Sequence, residues 1–302
     1  MVYKSHEQLA DKVRSDSAGP RIVGVIAADD DHTLEAVLAG VKAQIITPKL
    51  YGSKNGITEK LKIKDVNPAD FEIIDVETPE DCAFQAGIAA KEGRVHFLMK
   101  GGISSGKMMR ALFNKETGFR VGNLISHMAL GAIPNYHKLL AITDSAITVY
   151  PTLEQKAGLI KNAVATLTNM GFDTPKVAVL AAAEDVDPKI TETVEARALQ
   201  EMYEKAEITN CIVEGPLSLD LSVDVKSAEA KNFSSKIAGD ADLLVCPNIA
   251  AGNILLKSLR CFAKTRIAGL VVGGRVPLTL TSRGGSSDEK FLPLVLAAAA
   301  TN

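Results

Sequence analysis

The sequence predicts an α/β protein built on parallel β-sheets with helices on both faces. Three observations carry this. Short, near-continuous apolar runs such as Arg21–Ala28 and Lys176–Ala183 are the mark of strands buried on both faces. Between them lie stretches whose apolar residues recur at helical spacing, as Leu34, Val37, Leu38 and Val41 do. The two patterns alternate, which is the order of repeated strand–helix units. At 302 residues the chain has the length of one large or two medium domains.

In chain order, residues 1–18 read as a short polar helix and Arg21–Ala28 as a buried strand. Asp29, Asp30 and Asp31 follow at a strand–helix junction, where three acids either cap the next helix or hold a metal. Strands at Gln44–Thr47 and Phe71–Asp75 continue the alternation, and a helix from Pro79 to Glu92 leads into a strand at Val95–Met99. Beyond Ser126 and His127, set in an apolar run, Leu139–Thr143 reads as a strand with Asp144 just past it. Pro151 opens a helix with an acidic first turn that runs to about Gly171. Then come a strand to Ala183, helix around 191–205, a strand at Asn210–Glu214 and a turn at Gly215-Pro216. Asp242–Pro247 is a strand, Asn248–Ala251 a loop, and Gly252-Asn253 open the helix that carries Lys257. The last strand is Ile267–Val272, and a final helix begins at Lys290.

Composition excludes several function classes. A net charge of −2 gives no basic field for nucleic acid, and the absence of Trp disfavours base stacking. Cys82, Cys211, Cys246 and Cys261 form no C-x-x-C pair and fit no zinc spacing, so they read as reduced thiols of a cytoplasmic protein. The N-terminus lacks the layout of a signal peptide, and the apolar run Phe291–Ala300 is too short to span a membrane. There is no Gly-x-Gly-x-x-Gly after the first strand and no Gly-x-Ser-x-Gly elbow.

Two strand ends carry the chemistry. Met99–Leu112 passes from a strand through Gly101, Gly102, Ser104 and Ser105 into a helix, with Lys100, Lys107 and Arg110 around that mouth. Gly101-x4-Gly106-Lys107 matches P-loop spacing, but Met108 stands where a Ser or Thr would hold Mg²⁺, so no nucleotide site is read. Gly273–Lys290 is the second mouth, with Ser282, Arg283, Gly284, Gly285 and Ser286 ahead of Asp288 and Glu289. Glycine-rich turns and helix N-termini present backbone donors to anions, and Arg283 adds a bidentate cation. Each mouth reads equally as a solvated turn ahead of a capped helix.

Further motifs keep a fixed order between the two mouths: Asn-Lys-Glu-x-Gly-x-Arg (Asn114 to Arg120), Ser126-His127, Glu214–Asp220, Ala238–Asp242, Pro247-Asn-x3-Gly-Asn253 and Leu280–Arg283. Taken together with the mouths, the chain from about Arg21 onward resembles the phosphate acetyl/butyryltransferase family, most of all its butyryltransferase branch. The resemblance implies two α/β/α domains of the phosphotransacetylase/isocitrate dehydrogenase type with a cleft between them. Residues 1–130 plus 273–302 would form the first domain and 131–272 the second. It implies a reversible transfer of a butyryl or branched short-chain acyl group between CoA and phosphate by direct displacement. Phosphate acetyltransferase is the alternative substrate choice, and a CoA-binding regulator without turnover is the alternative of another class. A metal- and NAD-dependent dehydrogenase is the rival on fold analogy alone.

Carried over residue by residue, Ser282, Arg283 and Glu289 are the implied catalytic residues, Glu289 at the position of the acetyltransferase branch's thiol base, seven residues past Ser282. Lys100, Gly101, Ser104, Ser105, Arg110, Ser126, His127, Asn253, Lys257 and Ser286 are the implied substrate-binding set. No metal and no tightly bound cofactor are implied, since coenzyme A enters as substrate. The partners implied are acyl-CoA, phosphate and a second copy of the chain in a homodimer or larger homo-oligomer. Gly284-Gly285 and Ser105 depart from the butyryl branch's usual Ala-Asp and Thr.

Overall fold

The computed structural model describes residues 2–122, 124–280 and 287–301, the side chains of 287–290 excepted. Helix α1 (His6–Ser15) precedes β1 (Arg21–Ile26), α2 (Asp31–Lys42), β2 (Ile46–Gly52), α3 (Lys54–Ile63), β3 (Glu72–Asp75), α4 (Pro79–Lys91), β4 (Phe97–Lys100) and α5 (Ser105–Leu112). Next come β5 (Ser126–Ala132), β6 (Leu139–Thr143), α6 (Leu153–Asn169), β7 (Lys176–Leu180), α7 (Thr191–Glu204) and β8 (Ile212–Leu217). They are followed by α8 (Leu219–Val223), α9 (Val225–Ala230), β9 (Leu243–Val245), α10 (Ile249–Cys261), β10 (Arg266–Val272), β11 (Leu278–Thr279) and α11 (Ser287–Ala299). This is the α/β alternation that the apolar runs demand.

The chain divides into two compact units. The first holds His6–Ile125 and Ala268–Asn302, the second Met1–Ser5 and Ser126–Ile267. In the first unit the strand order is β3-β2-β1-β4-β11-β10. All neighbours there run parallel except the β10–β11 hairpin. Val23, Val25 and Ile26 of β1 are fully buried, because helices cover both faces of a parallel sheet. Helix α11 packs on α1 and α2 through an apolar run from Leu292 to Ala300.

In the second unit the order is β5-β6-β9-β7-β8, antiparallel between β5 and β6 and parallel elsewhere. Leu140, Ile142, Ala178 and Leu244 form the centre of its core. Thr152 and Gln155 close a reciprocal capping box at the start of α6, satisfying donors the helix leaves open.

Several expectations shift. β1 ends at Ile26, and Ala27 turns into the left-handed region at φ 53°. Asp30 takes the capping role at α2, accepting from the Thr33 N–H at 2.8 Å, while Asp31 pairs with Lys60 at 2.7 Å. Gly215-Pro216 lies inside β8 rather than in a turn. β8 ends the strand order of its unit, and an edge tolerates a residue with no N–H. Helix α10 starts at Ile249, ahead of the expected Gly252, because the Asn248 side chain caps it by accepting from the Ala251 N–H at 3.1 Å. Helix α11 starts at Ser287 instead of Lys290. Strand β5 and helix α3 had no counterpart in the sequence reading.

Candidate active site

In the first unit, the C-terminal ends of β1, β4 and β11 lie side by side, the place where open α/β sheets bind ligands. Lys100 is the last residue of β4 and is buried, with Nζ donating to the Gly101 carbonyl at 3.3 Å. Gly101 is obligatory by geometry. A Cβ there would sit 2.4 Å from the Ala27 carbonyl oxygen and 2.5 Å from that of Ile26. Only glycine lets the end of β4 lie this close to the end of β1. Its N–H donates to Ile26 at 2.9 Å, which holds the turn in place.

Ser104 caps α5, accepting from the Lys107 N–H at 3.4 Å, and Ser104, Ser105 and Arg110 are exposed. Arg110 is in the last turn of α5, about 7.5 Å along the axis from Ser105, and its Cα–Cβ bond tilts toward the helix N-terminus. Lys107 is turned elsewhere. Its Nζ pairs with Glu80 on α4 at 2.7 Å, and that hydrogen bond holds the Glu80 carboxyl below its ordinary range. Lys107 is thus committed to α4, away from the Gly101 turn. Met108 is fully buried, where no hydroxyl would reach a metal.

Strand β11 runs parallel to β4, with Leu278 aligned to Leu98 and Thr279 to Met99. Ser282, Arg283 and Ser286 lie outside the described residues. Glu289 is on α11, with its side chain outside them as well.

In the second unit, Ser126 and His127 open β5 next to the end of β6. Ser126 is fully buried and its Oγ accepts from Asn162 of α6 at 3.0 Å. His127 is tied at three points. Its N–H donates to Asp144 Oδ2 at 2.8 Å, its carbonyl accepts from Thr143 Oγ1 at 2.9 Å, and Nδ1 lies 3.0 Å from Ser145 Oγ. Burial pushes the imidazole pKa down, against the opposing pull of the Asp144 charge, so the ring is neutral at pH 7.

Asp144 is the hub that sequence reasoning passed over. Besides His127, its carboxylate accepts from the N–H groups of Ala146 (2.7 Å) and Ile147 (2.9 Å) and from Thr148 Oγ1 (3.3 Å). Asn253 donates to the Ser145 carbonyl at 3.0 Å. A Cβ on Gly252 would meet the Asp144 carbonyl oxygen at 2.3 Å, so α10 can seat on this loop only with glycine there. Asn253 and His127 thus share one loop, whereas Lys257 is exposed further along α10. The strand-then-Thr-Asp-Ser pattern was the available signal for Asp144.

Neither unit offers an activated thiol in its interior. Burial pushes the Cys82 and Cys211 thiols up to about 11 and that of Cys246 up to about 12. A thiol held protonated is a poor nucleophile. Among the described residues no group of three or more His, Cys, Asp or Glu side chains is placed to hold a metal ion. No described helix is long and apolar enough to cross a membrane.

Residues 77–298 match the family described as Phosphate acetyl/butaryl transferase. The chain is 39% identical to a phosphate acetyltransferase of Thermotoga maritima, over 91% of this chain and 94% of that one. It is 36% identical to a phosphate butyryltransferase of Clostridium beijerinckii, covering 91% of each. A branched-chain phosphotransacylase from Enterococcus faecalis V583 superposes with a TM-score of 0.83 at 28% identity, over 93% of this chain and 98% of that chain. The chain therefore belongs to the phosphate acetyl/butaryl transferase family.

Proposed function

We propose that the protein transfers a short-chain acyl group, butyryl or branched, reversibly between CoA and inorganic phosphate. A phosphate oxygen attacks the thioester carbonyl, the C–S bond breaks, and the thiolate takes up a proton as CoA. In reverse, a thiol of ordinary pKa about 8.5 loses its proton and attacks the acyl phosphate. Transfer is direct, with both substrates held together, so proximity supplies much of the rate. The raised pKa of Cys82, Cys211 and Cys246 supports this, since it disfavours an acyl-enzyme on any of them.

The observation that carries the reading is the pairing of β4 with β11. That pairing aligns Thr279 of β11 with Met99, one residue before Lys100 and the Gly101 turn that leads to the Ser104-capped helix. In this reading Lys100, Gly101, Ser104, Ser105, Arg110 and Ser286 receive phosphate groups. Ser282 and Arg283 stabilise the developing oxyanion, Glu289 is the thiol base, and His127, Asn253 and Lys257 contact the acyl-CoA. Ser126, the neighbour of His127 in β5 and held by Asn162, belongs to the same substrate-binding group. Exposed Ile254 and Phe262 on and just after α10, at 65% and 87%, support a homo-oligomer. The buried free thiols suit a reducing cytoplasm.

The test is phosphate-dependent CoA release from butyryl-, isobutyryl- and acetyl-CoA. Release is expected with the first two above the third, and no release with any of them refutes the proposal. Arg283→Ala is expected to raise the KM for phosphate or abolish turnover while the fold persists; unchanged kinetics would remove Arg283 from the mechanism.

A further inference from the structure

An apolar cavity of about 400 Å³ opens in the second unit at the C-terminal ends of β7 and β9. Leu180, Leu219, Pro247, Ala251 and Leu255 line it, with Glu192 from the first turn of α7. It adjoins the His127 cluster through α10. Ala251 and Leu255 face the cavity, while Gly252 and Asn253, between them in sequence, seat on Asp144 and Ser145. Strand β9 links the two places as well, since the Cys246 N–H donates to the Thr143 carbonyl at 2.7 Å.

We infer that this cavity receives the acyl chain of the acyl-CoA, and that it admits chains longer than butyryl. The inference rests on the acyl-CoA reading above. Three observations carry it. The lining is mostly apolar, so a ligand gains by burying apolar surface. The charged side chain in the lining is a carboxylate, which repels the phosphates of CoA and selects the uncharged end of the substrate. The volume falls in the range of sites that take drug-sized ligands, well beyond a four-carbon chain. Cys246 also lines the cavity, and its thiol, pushed up to about 12, stays protonated and does not attack the thioester.

The experiment is calorimetric binding of acetyl-, butyryl-, hexanoyl- and octanoyl-CoA to the full chain, beside their phosphate-dependent turnover. Each methylene that enters the cavity should tighten binding by up to about fourfold. Ala251→Leu fills the cavity with a good helix former, and Leu219→Phe fills it from a partly exposed position if the first variant folds poorly. The gain per methylene is expected in the wild type through hexanoyl and is expected to vanish in either folded variant. No gain beyond butyryl in the wild type, or the same gain in the filled variants, overturns the assignment. Absence of phosphate-dependent turnover counts against the acyltransferase reaction alone, because the binding series still decides what the cavity holds.

Discussion

Replacing Asp144 by Asn tests whether its carboxylate organises the His127 loop of the second unit. The carboxylate accepts four hydrogen bonds, three from backbone N–H groups and one from Thr148. Asn keeps one acceptor oxygen. If that oxygen stays with Ala146 and Ile147, the amide NH₂ must face the His127 N–H, donor against donor. A hydrogen bond to a charged acceptor is worth about 1.5–3 kcal/mol, and a buried N–H left unpaired costs about 1–3 kcal/mol. These overlap, so a loss of about 3 kcal/mol is expected, or about 6–12 °C in Tm for a body of this size. The loop also presents Ser145 to His127 and to Asn253, so kcat/KM should fall with it. Differential scanning calorimetry and the thiol-release assay read the two effects. A variant that melts within about 2 °C of wild type with unchanged kinetics refutes the hub.

Three other outcomes follow from the geometry. Gly101→Ala forces a Cβ to within 2.4 Å of a backbone oxygen that cannot rotate away, so it should cost about 3 kcal/mol or more and depress phosphate affinity; a neutral Tm would contradict the close packing of β1 on β4. His127 has a lowered folded pKa, so below its unfolded value of about 6.5 the unfolded chain binds the extra proton, and stability present above that pH is lost as pH falls. His96, lowered by burial too, adds in the same direction, so the diagnostic is that Tm between pH 7.5 and 5 falls less steeply in His127→Gln than in wild type; equal slopes would contradict the buried neutral ring. A thiol-reactive dye should label the exposed Cys261 in the native protein and reach Cys82, Cys211 and Cys246 only after unfolding, and rapid native labelling of a second thiol would contradict their burial.

Local patterns carried much of the fold. Buried apolar runs located β1 and β6, and an acidic first turn located α6, because these signals need only neighbouring residues. Strand β5 hid behind its polar start at Ser126 and His127, and α3 behind Gly56 and a run of lysines. Pro216 misled, because whether a proline is tolerated in a strand depends on that strand being at an edge. The same divide runs through the site. The Gly101–Ser105 mouth was legible because turn and capping chemistry is local. The Asp144 hub was not, since its meaning comes from His127, 17 residues away, and from Ser145 meeting Asn253 across 108. Sequence places Lys107 among the cations around that mouth, and only the fold shows that it pairs with Glu80 on α4.

Pro216 has a consequence for solubility. β8 and β3 end their strand orders, and a free row of N–H and C=O groups is a template on which another chain can add a strand. Pro216 removes a donor from that row, and the register of β7 on β8 slips beside it, between Ala178 and Leu180. At the other end β3 is only four residues long and bracketed by the exposed acids Glu72 and Asp75. Neither margin presents a long, regular ladder. A chain this rich in buried β-structure can then stay dispersed at high concentration, with association directed to apolar surfaces such as Ile254 and Phe262 instead of to strand edges.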